Sequence, residues 1–212
     1  MMPDFYPQLE IPAHDRETAL QPAKAAFLYD FLQNQGPENT LETGLGYGVS
    51  AAYILSATKG SHYAMDPLQG SLFHNLGLTN LATLQLASRL HFEPAPAHQT
   101  LPRLLAEGLQ VDFALIDGDH KFDSAFVDFY FCDLLLAPGG YIAIDDSRMA
   151  AVASLIAWIQ TNKGTYEVQA TGVQGLTLWR KVGVDERPWR HFVPFGTHTL
   201  CRSLLRWLSF LS

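Results

Sequence analysis

The sequence predicts an α/β fold: a Rossmann-like αβα sandwich around a seven-stranded, mostly parallel sheet with a C-terminal antiparallel hairpin. Three observations predict it. Five short apolar runs alternate with helix-like runs between about residues 39 and 161, the pattern of a parallel sheet covered on both faces. The stretch Leu41-Glu42-Thr43-Gly44-Leu45-Gly46-Tyr47-Gly48 joins the first strand to the first core helix through alternating glycines. Such a turn bends sharply and lets a ligand approach the main chain. Finally, runs at about 165–171 and 175–181 are joined by Gly172-Val173-Gln174-Gly175 alone. That link is too short for a crossover helix, so the pair must be antiparallel.

Taken in order, residues 1–36 read as an N-terminal arm followed by a helix from Gln21 to Gln35, with Ala23, Phe27, Leu28 and Phe31 on one face. Pro22 suits its first turn, and Gly36-Pro37 ends it. Residues 37–181 form the core domain. Its strands fall at about 39–43, 62–65, 90–92, 111–116 and 141–144, and its helices at about 48–58, 99–107, 121–136 and 149–161. The region 70–87 is helical only in part, because Asn75, Gly77 and Asn80 interrupt the pattern. Val111 to Ile116 is apolar apart from Asp112, as a strand buried on both faces requires. Residues 182–212 read as a tail, in which Thr199 to Leu211 is amphipathic if helical. Together with Arg180 and Lys181 it carries 6 of the 14 basic residues, and it could serve dimer contact, packing or a membrane surface.

Composition narrows the function. The 212 residues suffice for one domain with a full core. A net charge of −7, with no basic face before the tail, argues against nucleic acid. Met1 to Glu10 carries Pro3, Asp4, Pro7 and Glu10, so no signal peptide is expected, and no apolar stretch is long enough for a transmembrane span. Cys132 and Cys201 show no pairing pattern, which points to free thiols and a cytoplasmic location.

The Gly-x-Gly-x-Gly spacing is tighter than the dinucleotide pattern Gly-x-Gly-x-x-Gly and suits a ligand without phosphate. Ligands of an open parallel sheet bind at the carboxyl ends of its strands, and acids gather there: Glu42, Asp66, Asp117, Asp119, Asp145 and Asp146. Asp66, just past the second strand, is placed to accept from a ribose diol; a turn-forming role before Pro67 is the alternative. Asp117, Asp145 and Asp146 would crowd one rim. Like charges that close raise each other's pKa, and a divalent cation would relieve them, unless some of them only cap helices. An all-oxygen set favours Mg²⁺, Mn²⁺ or Ca²⁺ over zinc. His120 is a candidate general base, with Asp119 or Asp123 to orient it, and Lys121 is a weaker one.

Glu42 to Gly48, Asp66, Val111 to His120, and Leu136-Ala-Pro-Gly-Gly-Tyr-Ile-Ala-Ile-Asp-Asp146 together resemble the class I S-adenosylmethionine-dependent methyltransferases. More narrowly, they resemble the small-molecule O-methyltransferases of the macrocin and catechol type. The resemblance spans about residues 20–181. It implies that the loop, through Glu42, Thr43, Gly44, Gly46, Tyr47 and Gly48, holds the methionine part of S-adenosylmethionine. Asp66 would take the ribose, Ala97 and His98 would flank the adenine, and Asp117 would close the cofactor site. It further implies a divalent cation on Asp117, Asp145 and Asp146. Catechol-type enzymes carry a lysine base where His120 stands and an asparagine where Asp146 stands. His120 is closer to the macrocin-type branch, and Asp146 makes the site more acidic.

The activity implied is methyl transfer to a hydroxylated small molecule, with a homodimer possible. Rival readings are a metal-independent methyltransferase, a nicotinamide-dependent oxidoreductase and a non-catalytic methyltransferase-like subunit. Acceptor-selecting residues are sought in Tyr6 to Ala19, Ser147 to Ala151 and Arg187 to Thr199, with Tyr6, His14, Arg16, Arg148, Trp189, Arg190 and Phe195 as candidates.

Overall fold

The computed structural model describes residues 2–196; the predicted helix at Thr199 to Leu211 lies outside them. Among the described residues seven strands form one sheet: β1 (Asn39–Thr43), β2 (Ser61–Met65), β3 (Leu90–Glu93), β4 (Val111–Ile116), β5 (Leu136–Ile144), β6 (Tyr166–Gln169) and β7 (Thr177–Lys181). Their order is β3-β2-β1-β4-β5-β7-β6. The first five are parallel, while β7 runs antiparallel to both β5 and β6. The order reverses between β1 and β4, which opens a crevice at their carboxyl ends.

Helices α1 (Pro22–Gln35), α2 (Val49–Ala57) and α3 (Leu76–Thr83) lie on one face of the sheet. Helices α4 (Ala97–Ala106), α5 (Phe122–Leu135) and α6 (Ala150–Asn162) lie on the other. Strand β4 shows why both faces fill. Phe113 and Leu115 pack toward α1 and α2, and Ala114 and Ile116 pack toward α5 and α6. This period-2 division makes the strand apolar throughout. On α1 the buried stripe is Lys24, Ala25, Leu28, Tyr29 and Leu32, rotated from the predicted face. Leu28 is common to both, Phe27 and Phe31 are half-buried, and Ala23 is exposed. Full burial of Leu28 and of Leu32 each contributes about 1.5–3 kcal/mol. Gly36, at φ 62°, caps the helix.

Strand β5 begins earlier than expected. Val111 pairs with Leu136 and Phe113 with Tyr141. The segment around Pro138-Gly139 is therefore extruded as a bulge, with Gly139 at φ 85°. Two short 3-10 turns, Tyr6–Gln8 and Ala13–Asp15, structure the arm, and Leu9 and Leu20 anchor it in the core. No helix among the described residues is long and apolar enough to cross a membrane.

Candidate active site

Three acids sit one residue beyond three strands because the sheet ladder continues that far. The amide of Asp66 donates to Glu93, that of Asp117 to Thr43 and that of Asp145 to Ile116, at 3.1, 3.1 and 3.0 Å. The acids thus stand along one wall of a cavity of about 1170 Å³ above the switch point.

The glycine loop forms the floor. Gly44 has φ 87°, and a Cβ there would lie 2.3 Å from the Asp117 carbonyl oxygen. Only glycine lets the loop close against the end of β4. Gly46 is also left-handed, but a Cβ on it would meet nothing within 4 Å, so there is open space beside its α-carbon. Asp66 clamps the loop. Its Oδ2 accepts from the amides of Leu45 and Gly46 at 3.2 and 2.9 Å and from Gln69 Nε2 at 3.1 Å. Its Oδ1 accepts from the Leu68 amide at 2.8 Å. Each carboxylate oxygen offers about two acceptor positions; three donors crowd Oδ2 and one reaches Oδ1, which leaves Oδ1 room for roughly one further hydroxyl and not for both arms of a diol.

The loop after β4, against which Gly44 closes, carries Asp117 and His120. His120 Nε2 lies 2.9 Å from Asp146 Oδ2 and 3.9 Å from Asp117 Oδ1. Neither approach has hydrogen-bond alignment, and the nitrogen is buried without a partner. Asp117, His120 and Asp146 present ligand atoms within 4.8 Å of one another. Asp145 is not in this group. Its Oδ1 takes Lys24 Nζ at 2.5 Å and the Asp146 amide at 2.7 Å. Of the acids expected to share a cation, the structure brings Asp117 and Asp146 together with His120 and turns Asp145 toward Lys24. The cause is backbone geometry: Asp146 adopts φ 46°, a strained left-handed conformation for a residue with a side chain. It sends two neighbouring carboxylates in different directions.

Electrostatics follow from this crowding. Burial, then the charges of Asp145, Asp146 and Glu42, push the Asp117 carboxyl well above its ordinary range. A quarter of that side chain still meets solvent in the cavity, so repulsion carries more of the effect than in a sealed site. Asp145 is raised too, by burial, although Lys24 opposes it. For Lys24, burial works against the charge, but the hydrogen bond and charge of Asp145, with Asp146 and Asp117 beyond, hold the ammonium above its usual value. Asp128 of α5, on the same cavity wall, is pushed up to about 6, chiefly by burial.

Of the predicted site residues, Thr43, Gly44, Gly46, Tyr47, Asp66, Ala97, His98, Asp117, His120, Lys121, Asp145 and Asp146 line the cavity. Gly48 instead packs below the loop, where a Cβ would press on the Gly77 carbonyl at 2.8 Å. Glu42 is fully buried beneath the loop, 3.3 Å from His62 Nε2 but without hydrogen-bond alignment. The Tyr47 ring turns into the core, where its hydroxyl donates to Asp15 of the arm. Lys121 is exposed and its ammonium binds Asp119 at 2.8 Å. That bond raises its pKa and makes it a poor base.

None of the seven acceptor candidates lines the cavity. Tyr6 packs on Tyr53, Arg148 reaches Gln174, Trp189 is 86% exposed under Arg190, and Phe195 lies beside Phe122. The expected segments reach it at other residues, Glu17 to Ala19 of the arm and Met149 after β5, joined by Leu20, Gln21 and, from α1, Lys24. Lys24 was missed, although one signal was present. It lies one turn before Leu28 on the same helix face, and a lysine on a buried stripe requires a partner.

A parallel sheet with a terminal antiparallel hairpin, a glycine loop after β1 and acids at the strand ends is the fold of class I S-adenosylmethionine-dependent methyltransferases. Residues 41–147, just over half of the chain, match a family described as a methyltransferase domain, and the chain belongs to that family. Solved structures agree on the fold. An O-methyltransferase from Bacillus cereus in complex with SAH is 19% identical, with a TM-score of 0.68 over 81% of this chain and 84% of that one. The O-methyltransferase TomG from Streptomyces achromogenes, involved in tomaymycin synthesis and in complex with SAM, is 19% identical, with a TM-score of 0.67 over 80% and 86%. An SAH-bound methyltransferase from Podospora anserina is 16% identical, with a TM-score of 0.67 over 80% and 82%. No curated protein sequence matches the chain.

Proposed function

We propose that the chain transfers the methyl group of S-adenosylmethionine to a hydroxyl of a small molecule, with His120 as the proton acceptor. The observation that carries this reading is the His120 Nε2 atom. It is buried without a hydrogen-bond partner in the lining of the cavity, between Asp117 and Asp146. A buried polar atom without a partner is costly, and an acceptor hydroxyl would satisfy it.

The residues fit the cofactor. The open space beside Gly46, the spare Asp66 lone pair, and Ala97 and His98 all belong to the cavity lining. The carboxylates of the same lining suit a cationic sulfonium. Bound there, S-adenosylmethionine supplies an electrophilic methyl group on a positive sulfur. His120 would take the hydroxyl proton, and the oxygen pair so freed would be left to accept that methyl group, with S-adenosylhomocysteine as the leaving group. The chain's own part is to hold oxygen and methyl in line and to keep bulk water from the pair.

The donor set also fits a divalent cation. Asp117 and Asp146 are hard oxygen ligands whose mutual repulsion an ion would relieve. Such an ion would lower the pKa of a bound hydroxyl. His120 stands within reach of the same ion as a third ligand, so its two roles are separable by experiment. We expect saturable S-adenosylmethionine binding by calorimetry and formation of S-adenosylhomocysteine with one class in a panel of catechols, sugars and aliphatic alcohols. Substituting His120→Asn should lower kcat by roughly 10²–10⁴ with cofactor affinity unchanged. If Mn²⁺ affinity falls in parallel, His120 is a ligand rather than the base. Absence of cofactor binding would refute the proposal.

A further inference from the structure

Lys24 is the unexplained charge in this site. It lies in the first turn of α1, where the helix dipole disfavours a cation, and it is 9% exposed on a stripe otherwise made of core residues. Its ammonium crosses the cavity rim to reach Asp145 Oδ1 at 2.5 Å and Asp146 Oδ1 at 3.4 Å. Gly175, in the link between β6 and β7, lies against the end of the stem, close enough for ordinary van der Waals contact. A Cβ there would lie 3.4 Å from Lys24 Cε. Helix position and burial both oppose a lysine here, so its placement is explained by the acids it meets.

Asp146 is shared. One of its oxygens faces Lys24 and the other faces His120. Any cation held by Asp117, His120 and Asp146 would sit beside an ammonium that already neutralises Asp145 and part of Asp146. We propose that Lys24 is a resident cation that competes with the divalent ion for this acid cluster and sets the site's affinity for it. The inference rests on reading Asp117, His120 and Asp146 as a cation site. It makes Lys24 a positioning residue: its ammonium fixes the acids when no ion is bound and weakens the ion when one is.

The test is Mn²⁺ binding to the full chain, followed by calorimetry and by the spin-resonance signal of the free ion, for wild type, Lys24→Gln and Lys24→Arg. Thermal melting and S-adenosylmethionine affinity serve as checks on the fold. Lys24→Met, which keeps the packed stem, replaces Lys24→Gln if that variant does not fold. We expect the neutral variants to bind Mn²⁺ roughly tenfold or more tightly than wild type, because like charges a few ångströms apart in an enclosed site repel. Lys24→Arg should stay at the wild-type value. Equal binding by wild type and the neutral variants would overturn the role of Lys24 while leaving the cation site standing. Weaker binding by the neutral variants would overturn the competition as well, by showing that the ammonium aids ion binding more than its charge opposes it. Binding by neither protein would overturn both the competition and the cation site.

Discussion

Asp128 illustrates how one side chain couples stability to pH. Its folded pKa of about 6 stands above the ordinary value of 3.8, chiefly because burial penalises the charged form. The folded protein therefore keeps a proton that the unfolded chain releases. Stability falls as pH rises from about 4 to about 6, and above that window the ionised group costs the fold up to about 3 kcal/mol. Asp128→Asn should thus raise the melting temperature at pH 8 and do so progressively less as pH approaches 4, as thermal melts in matched buffers would show. An equal gain at both ends would mean that packing, not ionisation, decides the effect. Asp145 and Asp146 teach a different lesson at this scale. Adjacent in sequence, they are assigned to different partners, one to Lys24 and the other to His120 as well. The left-handed turn that separates them carries no residue signature, since glycine, the usual marker of such a backbone, is absent.

At the scale of elements, the loop between β1 and α2 is the part of the site most legible from sequence, because its chemistry is in the backbone. The glycines are not equivalent. Gly44→Ala would drive a methyl group into the Asp117 carbonyl oxygen from a left-handed backbone. It should cost about 2 kcal/mol or more in urea unfolding and abolish cofactor binding. Gly46→Ala has open space around its Cβ and should cost only about 1 kcal/mol of backbone strain, while placing a methyl where the ligand approaches. Calorimetry should then show a folded protein with weakened S-adenosylmethionine affinity. If Gly44→Ala is tolerated as well as Gly46→Ala, the loop does not need its close approach to β4. Helix α1 shows the opposite case. Its aromatic residues suggested one face, but burial is centred on the stripe of Lys24, Leu28 and Leu32. Phe27 and Phe31 stack on one another at 5.8 Å along its margin, and large rings at a margin mislead a count of apolar residues.

Across the whole molecule, a second charge network holds the layers together away from the site. Asp133 of α5 accepts from Lys163 at 2.5 Å and from the Tyr166 hydroxyl at 2.8 Å, and Lys181 of β7 approaches it at 3.4 Å. Lys163 also binds Asp185 at 2.8 Å, while Asn162 holds the Val193 backbone through both its amide atoms. One carboxylate thus ties α5, the end of α6, the hairpin and the start of the tail. Removing one member of a buried ionic group leaves the others uncompensated. Asp133→Ala should therefore destabilise the fold by roughly 3–5 kcal/mol in denaturant titration, with cofactor affinity retained wherever the protein is still folded. A loss below about 1 kcal/mol would show that the lysines find water instead.

The amino-acid sequence by itself determined the layers, the glycine loop and the row of acids beyond the strands. Each of these follows from local periodicity, from residues with special backbone freedom and from the rule that parallel strands present their carboxyl ends together. Only the tertiary structure decided which acids share a site and which cation each one meets. It also decided that the arm enters the cavity through Glu17 to Gln21, with Lys24 of α1 beside them, rather than through Tyr6, His14 or Arg16. The reason is physical. Those assignments depend on helix rotation, on one left-handed residue and on contacts such as Lys24 with Asp146, 122 positions apart. No local pattern along the chain encodes them.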